Sequence, residues 1–343
     1  MSRKLSGFST EHGPANYVNI PEAQGVQISE GLQRNWRVPT PDEYARMRPL
    51  RPPTRTLVLS CALFGLTLLT CLAAGRQFAV SYAHGQAASF EEFGRSLTLI
   101  YKNPAALLAG LPFALTLMTI LLAHELGHFF ACRHHHIHSS YPFFLPAPNL
   151  IGTFGAFILI RSPIGSRRAL FDVGASGPIV GFLFAAPALI YGIAHAQIVP
   201  SLNAKPEMIF GSPLMMQWLA HIFYPKIAAS TLLMNPVGRA AWVGFFATSL
   251  NLLPAAQLDG GHILRSLSPR IHRFFTLSMP FALVVLGYFL GVVWYVFAAL
   301  LLILKFMRVA PVYDETPLDP TRRWVALATL AIFVLCFIPA PIS

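Results

Sequence analysis

The sequence predicts an all-α polytopic membrane protein with one small β element, and three observations carry that reading. Apolar residues make up 55% of the 343-residue chain and charged residues only 11%, against about a quarter charged in a soluble domain. Mean hydropathy is +0.56, and apolar runs near the ~20 residues that a helix needs to cross a bilayer recur along the chain. Between two of those runs, residues 137–165 hold several prolines and then an aromatic, β-branched stretch from Phe154 to Ile160, which reads as a strand or hairpin arm.

The elements follow in order. Residues 1–54 are polar, with five acidic side chains and several prolines, so a disordered or loosely docked cytoplasmic tail is expected. It has no small-residue cleavage site that would make it a signal peptide. Residues 55–343 form the membrane domain. Spans are expected near Leu57–Gly75, Pro104–Cys132 and Ala169–Ala194, with a shorter one near Ala240–Pro254. The apolar stretch Phe274–Leu304 is long for one helix and short for two; Gly287 and Gly291 can seat a tight turn in it. A last span lies near Trp324–Ile338. Counting Phe274–Leu304 as a hairpin gives seven spans. With the N-terminus inside, 19 Lys/Arg then face the cytoplasm and 6 face out, in keeping with the positive-inside rule. A multi-pass protein of a bacterial inner membrane is expected.

The net charge of +11 would point to nucleic acid in a soluble protein. Here the basic residues collect in loops that face anionic lipid, so the lipid bilayer, and no nucleic acid, is the expected partner. Of the four cysteines, Cys61, Cys71 and Cys336 lie in apolar runs, and Cys132 follows a histidine by one turn. None implies a disulfide framework.

The second span carries the chemistry. Residues 121–130 read Leu-Leu-Ala-His-Glu-Leu-Gly-His-Phe-Phe. On a helix His124 and His128 share one face and can hold one zinc ion, and Glu125 stands where a metalloprotease needs its general base. Ionisable residues inside an apolar span are costly and therefore point to function.

A second element lies at residues 251–262, Asn-Leu-Leu-Pro-Ala-Ala-Gln-Leu-Asp-Gly-Gly-His. Pro254 and the Gly260-Gly261 pair force irregular backbone, which membrane depth tolerates only where protein or a water-filled cavity covers it. Asp259 sits in this break. Alone it reads as an Asx-turn residue; beside the histidine pair it reads as the third ligand of a catalytic zinc that keeps an open position for water.

The two motifs, in this order, resemble the site-2 protease family of intramembrane zinc metallopeptidases, as does Phe171–Gly181 at the entry to the third span. The likeness covers roughly residues 104–265, a three-span catalytic core with flanking spans on either side. It implies an endopeptidase that cuts peptide bonds within or next to transmembrane segments of protein or peptide substrates. It implies zinc held by His124, His128 and Asp259, Glu125 as base, and Asn251 at the substrate cleft. It also implies that the β element is membrane-associated and lies beside the site. A strand edge there, at Gly152, Thr153, Phe154 and Gly155, can take an unwound substrate by strand addition; a surface loop resting its aromatics on lipid reads equally well. Between the second and third spans only residues 133–168 remain, too few for a PDZ domain, so a compact PDZ-lacking branch near the prokaryotic and plastid members is expected.

Other features have plainer readings. The histidines at 134, 135, 136 and 138 suit a hydrated, basic loop end better than a second metal site. Gly174, Gly177 and Gly181 suit close helix packing. Residues 208–223 read as an interfacial amphipathic helix.

Overall fold

The computed structural model describes residues 54–162, 164–199, 210–228, 231–306, 312 and 316–341. The polar tail expected over residues 1–54 lies outside them except for Thr54. The first helix, α1, spans Thr54–Ala83, longer at both ends than the apolar run alone indicated. It is followed by an amphipathic helix, α2 (Phe90–Lys102), capped at Ser89, whose side chain accepts the Glu92 N–H. The sequence reading passed over α2 because its charges interrupt the hydropathy. Those charges dock it instead: Arg76 of α1 pairs with Glu92 and reaches the Ser96 hydroxyl at 3.1 Å.

The second span opens as a 3₁₀ turn, Pro104–Gly110, and continues as α3, Leu111–His134. It crosses α1 at backbone contact. A Cβ on Gly110 would stand 2.1 Å from the Leu72 carbonyl oxygen, so glycine is required there. A β-hairpin follows. β1 (Phe143–Pro146) pairs antiparallel with β2 (Thr153–Phe157), Phe143 opposite Phe157 and Leu145 opposite Gly155, with a register irregularity at Leu145/Pro146. Proline donates no ladder hydrogen bond, so an irregularity beside it is expected. The expected arm is therefore a strand, and its partner comes from the proline-rich segment before it.

The third span is α4, Arg167–Ala194, capped by the Ser166 hydroxyl. After it come β3 (Gln197–Ile198), α5 (Leu214–Phe223) and β4 (Leu232–Leu233), with β3 and β4 antiparallel. Of the interfacial amphipathic helix expected over 208–223, residues Leu214–Phe223 are helical, as α5; positions 208 and 209 lie outside the described residues. α6, Pro236–Asn251, is capped by Asn235 and is buried along most of its length, Trp242 and Phe245 among its fully enclosed side chains. It packs against α3 and α4 as the third helix of the core. A short irregular stretch leads to α7, Asp259–Leu267.

The ambiguous apolar stretch is a hairpin. α8 spans Pro269–Leu290 and α9 spans Val293–Phe306. The break falls at Gly291, whose φ of +121° lies in a region that side chains with a Cβ rarely adopt. Gly287 instead faces the Tyr295 ring, 2.9 Å from where its Cβ would stand. α10, Pro320–Cys336, is capped by Asp319. The Arg322 backbone N–H and guanidinium hold the Asp319 carboxyl below its ordinary range.

Four helical segments among the described residues are long and apolar enough to cross a membrane: Thr54–Ala83, Pro104–His134, Arg167–Ala194 and Pro269–Leu290. The other three expected crossings are α6, α9 and α10, of 16, 14 and 17 residues. Such helices rise only about 21–26 Å, short of the ~30 Å hydrocarbon layer. Among the described residues, length and composition thus support four crossings, and seven are not supported.

Candidate metal and catalytic site

The site is built where α3, α4 and α7 meet. His124 and His128, one turn apart on α3, bring their Nε2 atoms within 3.1 Å of each other. Asp259, the first residue of α7, places Oδ2 at 3.2 Å from His124 Nε2 and 3.3 Å from His128 Nε2. Among the described residues, these three form the one His/Cys/Asp/Glu group whose ligand atoms converge closely enough to hold a metal ion. The spacing fits a tetrahedral zinc: ligand atoms about 2.0–2.1 Å from such an ion stand about 3.3 Å from one another. Two imidazoles and a carboxylate are also the donor types that such an ion takes.

The sequence forces this convergence at each element. The four-residue spacing puts both imidazoles on one helical face. Gly260 and Gly261 let the first turn of α7 press onto the preceding loop, since their Cβ atoms would stand 2.1 Å from the Leu252 carbonyl oxygen and 2.5 Å from that of Ala256. No side chain caps α7; the Asp259 carboxylate turns to the histidines instead of forming the Asx turn that it would suit in isolation.

The α4 glycines have a more specific role than close packing. A Cβ on Gly177 would lie 2.1 Å from His128 Nε2, and one on Gly181 would lie 2.9 Å from His124 Nδ1. Both positions hold open the volume that the imidazoles fill. Gly174 does the same for α7, 2.9 Å from the Cβ of His262. His128 Nδ1 donates to the Val173 carbonyl at 2.7 Å. The regular glycine spacing was visible in the sequence, but the side chains that it accommodates were not; the Val173 carbonyl carried no signal at all.

Glu125 is 5% exposed, yet it lines two adjoining cavities of about 360 and 180 Å³. Ile158, just past β2, lines the smaller cavity beside it, a neighbour that sequence reasoning did not find. Asn251, the last residue of α6, lines both cavities and sets Nδ2 3.3 Å from His124 Nε2. Thr153, Phe154 and Gly155 line the larger cavity, opposite Val296, Phe297 and Leu300 of α9. Gly152 does not. Its φ is +85° and its backbone lies against α1, where its carbonyl accepts the Thr70 hydroxyl at 2.6 Å. It docks the hairpin rather than facing the cleft.

The histidines past α3 lie apart from this site. His135 Nε2 is 2.7 Å from Asp172 Oδ2, and Arg322 grips the same carboxylate at 2.5 and 2.8 Å. This ties the end of α3 to α4 and α10.

A family model described as peptidase family M50 matches residues 112–296, a little over half of the chain. The chain is 32% identical over 162 residues to the probable zinc metalloprotease EGY1, chloroplastic, of Arabidopsis thaliana, covering 46% of this chain and 29% of that protein. It is 28% identical over 247 residues to the probable zinc metalloprotease EGY2, chloroplastic, of the same plant, covering 70% and 43%. The chain thus spans less than half the length of these relatives. Their plastid names accord with the expected kinship and lend no support to a bacterial inner membrane. No solved structure matches the chain.

Proposed function

The chain belongs to peptidase family M50, the site-2 protease family, and on that premise we propose that it is a zinc-dependent endopeptidase that cuts membrane-protein substrates within or beside their transmembrane segments. The observation that carries this reading is the convergence of Asp259 with His124 and His128, which stand on a helix long and apolar enough to cross a bilayer, with Glu125 facing the adjoining cavities.

In this reading His124, His128 and Asp259 would hold zinc, which would supply Lewis acidity and the means to make water a competent nucleophile at neutral pH. Glu125 accepts the proton of that water and passes it to the leaving amine, so that one carboxylate serves as base and then as acid. Asn251, within reach of the same imidazole, offers an amide donor to the substrate carbonyl. The larger cavity runs between the β2 edge and apolar side chains of α3, α6 and α9, which suits an apolar peptide in extended form. A transmembrane helix conceals its carbonyls in hydrogen bonds and has to unwind before it is cut. The outer edge of β2, unpaired among the described residues, offers the unwound segment a backbone partner.

The test is cleavage of a model transmembrane peptide by the full chain in detergent or nanodiscs. Glu125→Gln should retain zinc and lose at least about 10²-fold in rate, the usual worth of a positioned proton acceptor. Cleavage at the wild-type rate by this variant would remove Glu125 from the chemistry.

A further inference from the structure

The loop that delivers Asp259 contains a strained residue. Ala256 has φ of +50°, the left-handed conformation that is unfavourable for a residue with a Cβ. Such conformations persist where the surroundings over-determine them. Ala256 is also buried, 6% exposed, so both of its backbone polar groups need partners inside the protein.

Both partners come from α8. The Thr276 hydroxyl accepts the Ala256 N–H at 3.1 Å. His272 Nε2 stands 3.0 Å from the Ala256 carbonyl oxygen and, since a carbonyl only accepts, donates to it. The two side chains are four apart on one face of α8, and their own polar atoms lie 3.3 Å from each other. A single helical face thus grips one residue through the two peptide groups that flank it. The gripped carbonyl is the one against which Gly261 packs, 2.5 Å from where its Cβ would stand. Gly260 beside it lies against the carbonyls of Leu252 and Leu253. The loop next closes through Leu258 N–H to the Ala255 carbonyl at 3.3 Å, and α7 begins with the His262 N–H on the Leu258 carbonyl at 2.9 Å. Any movement of the Ala256 peptide is therefore passed to the first turn of α7, where Asp259 sits.

We propose that His272 and Thr276 are positioning residues for Asp259: by clamping the left-handed peptide at Ala256 they fix where the carboxylate meets the two imidazoles. The clamp acts on a neighbour of the ligand set and touches neither substrate nor metal. It rests on the reading of His124, His128 and Asp259 as metal ligands.

The experiment is a zinc affinity measurement by chelator competition on the full chain in detergent, with helicity checked by circular dichroism. The variants are His272→Ala, His272→Gln, Thr276→Val and Thr276→Ser. Thr276→Val keeps the side-chain shape and removes the acceptor; Ser and Gln keep an acceptor and a donor respectively. Loss of supporting hydrogen bonds around a metal site usually costs 10–100-fold in affinity. His272→Ala and Thr276→Val should therefore bind zinc about ten-fold more weakly at unchanged helicity, while Thr276→Ser and His272→Gln recover most of that loss. Wild-type affinity in both deletion variants would overturn the clamp, as would equal losses in the deletion and the conservative variants. A wild-type chain that binds no zinc would sink the ligand reading and the clamp together, whereas zinc binding by the wild type that the variants leave untouched would sink the clamp alone.

Discussion

His128 and Val173 are joined by a hydrogen bond of 2.7 Å from the imidazole Nδ1 to the backbone carbonyl. A carbonyl only accepts, so Nδ1 carries the proton and Nε2 presents its lone pair toward His124 and Asp259. The bond fixes both the tautomer and the plane of the ring, the arrangement that orients a metal-binding histidine. It also makes α4 part of the site although α4 contributes no ligand side chain.

The first prediction concerns this contact between helices. Gly177→Ala adds a Cβ that would stand 2.1 Å from His128 Nε2. One methyl group is a small change for helix stability, and the ring is the softer partner. The ring should leave the Val173 carbonyl and turn Nε2 away from the other ligands. The variant should fold with unchanged helicity and bind zinc at least about ten-fold more weakly. Gly94→Ala, in a position with nothing within 4 Å of its Cβ, is the control. Equal zinc affinity in wild type and Gly177→Ala would show that the imidazole is not confined by α4.

Much of this site was legible from residues alone. The four-residue histidine spacing survives as two rings on one face, and the break at Pro254 survives as the loop that leads to Asp259, because helical periodicity and backbone prohibition are local rules; Gly260 and Gly261, expected to be irregular, instead lie in the first turn of α7. The Gly291 break was equally local. What stayed hidden depended on which elements meet. Nothing in Gly177 or Gly181 announces that an imidazole fills the space above it, and nothing in Ile158 announces that it lines a cavity with Glu125. Gly152 was misassigned for the same reason: its neighbours in sequence line the cleft, but its own backbone is turned to α1. The amphipathic α2 was missed because a search for apolar runs passes over a helix whose charges serve as its docking contacts. The seven-span count rested on apolar runs and the Lys/Arg bias, whereas α6 and α10 are shorter than a bilayer crossing requires.

The second prediction concerns stoichiometry and the third ligand. The purified chain should bind about one zinc, since three converging protein ligands leave one position open. Removing it with a chelator should abolish peptide cleavage, and adding zinc back should restore it. Asp259→Asn keeps the size of the side chain and removes its charge, so zinc affinity should fall by at least about ten-fold, as a charged oxygen donor is lost. Metal analysis giving the same stoichiometry and affinity in that variant would rule out Asp259 as a ligand.

The last prediction separates the hairpin from the metal. Gly155 lies on β2 at φ +103°, with nothing within 4 Å of where its Cβ would stand. A valine there meets no steric wall, so the core and the ligand set should be undisturbed. It does meet a backbone prohibition, because β-branched residues are genuine outliers at positive φ, and holding one there costs about 1–3 kcal/mol. The strand should relieve that cost by rotating the peptide, which moves the N–H and C=O groups along the edge that borders the larger cavity. If the substrate pairs with that edge, Gly155→Val should raise KM roughly several-fold for a transmembrane peptide, since backbone hydrogen bonds supply the affinity of strand addition, while zinc affinity stays within about two-fold of wild type. Gly155→Ala, which is strained less, should lie between the two. The informative failure is a KM that does not move while circular dichroism and metal binding are also unchanged: the hairpin would then serve as a cover resting its aromatics, Phe154 foremost at 73% exposed, on lipid, and the substrate would be held by the apolar wall of α6 and α9 instead.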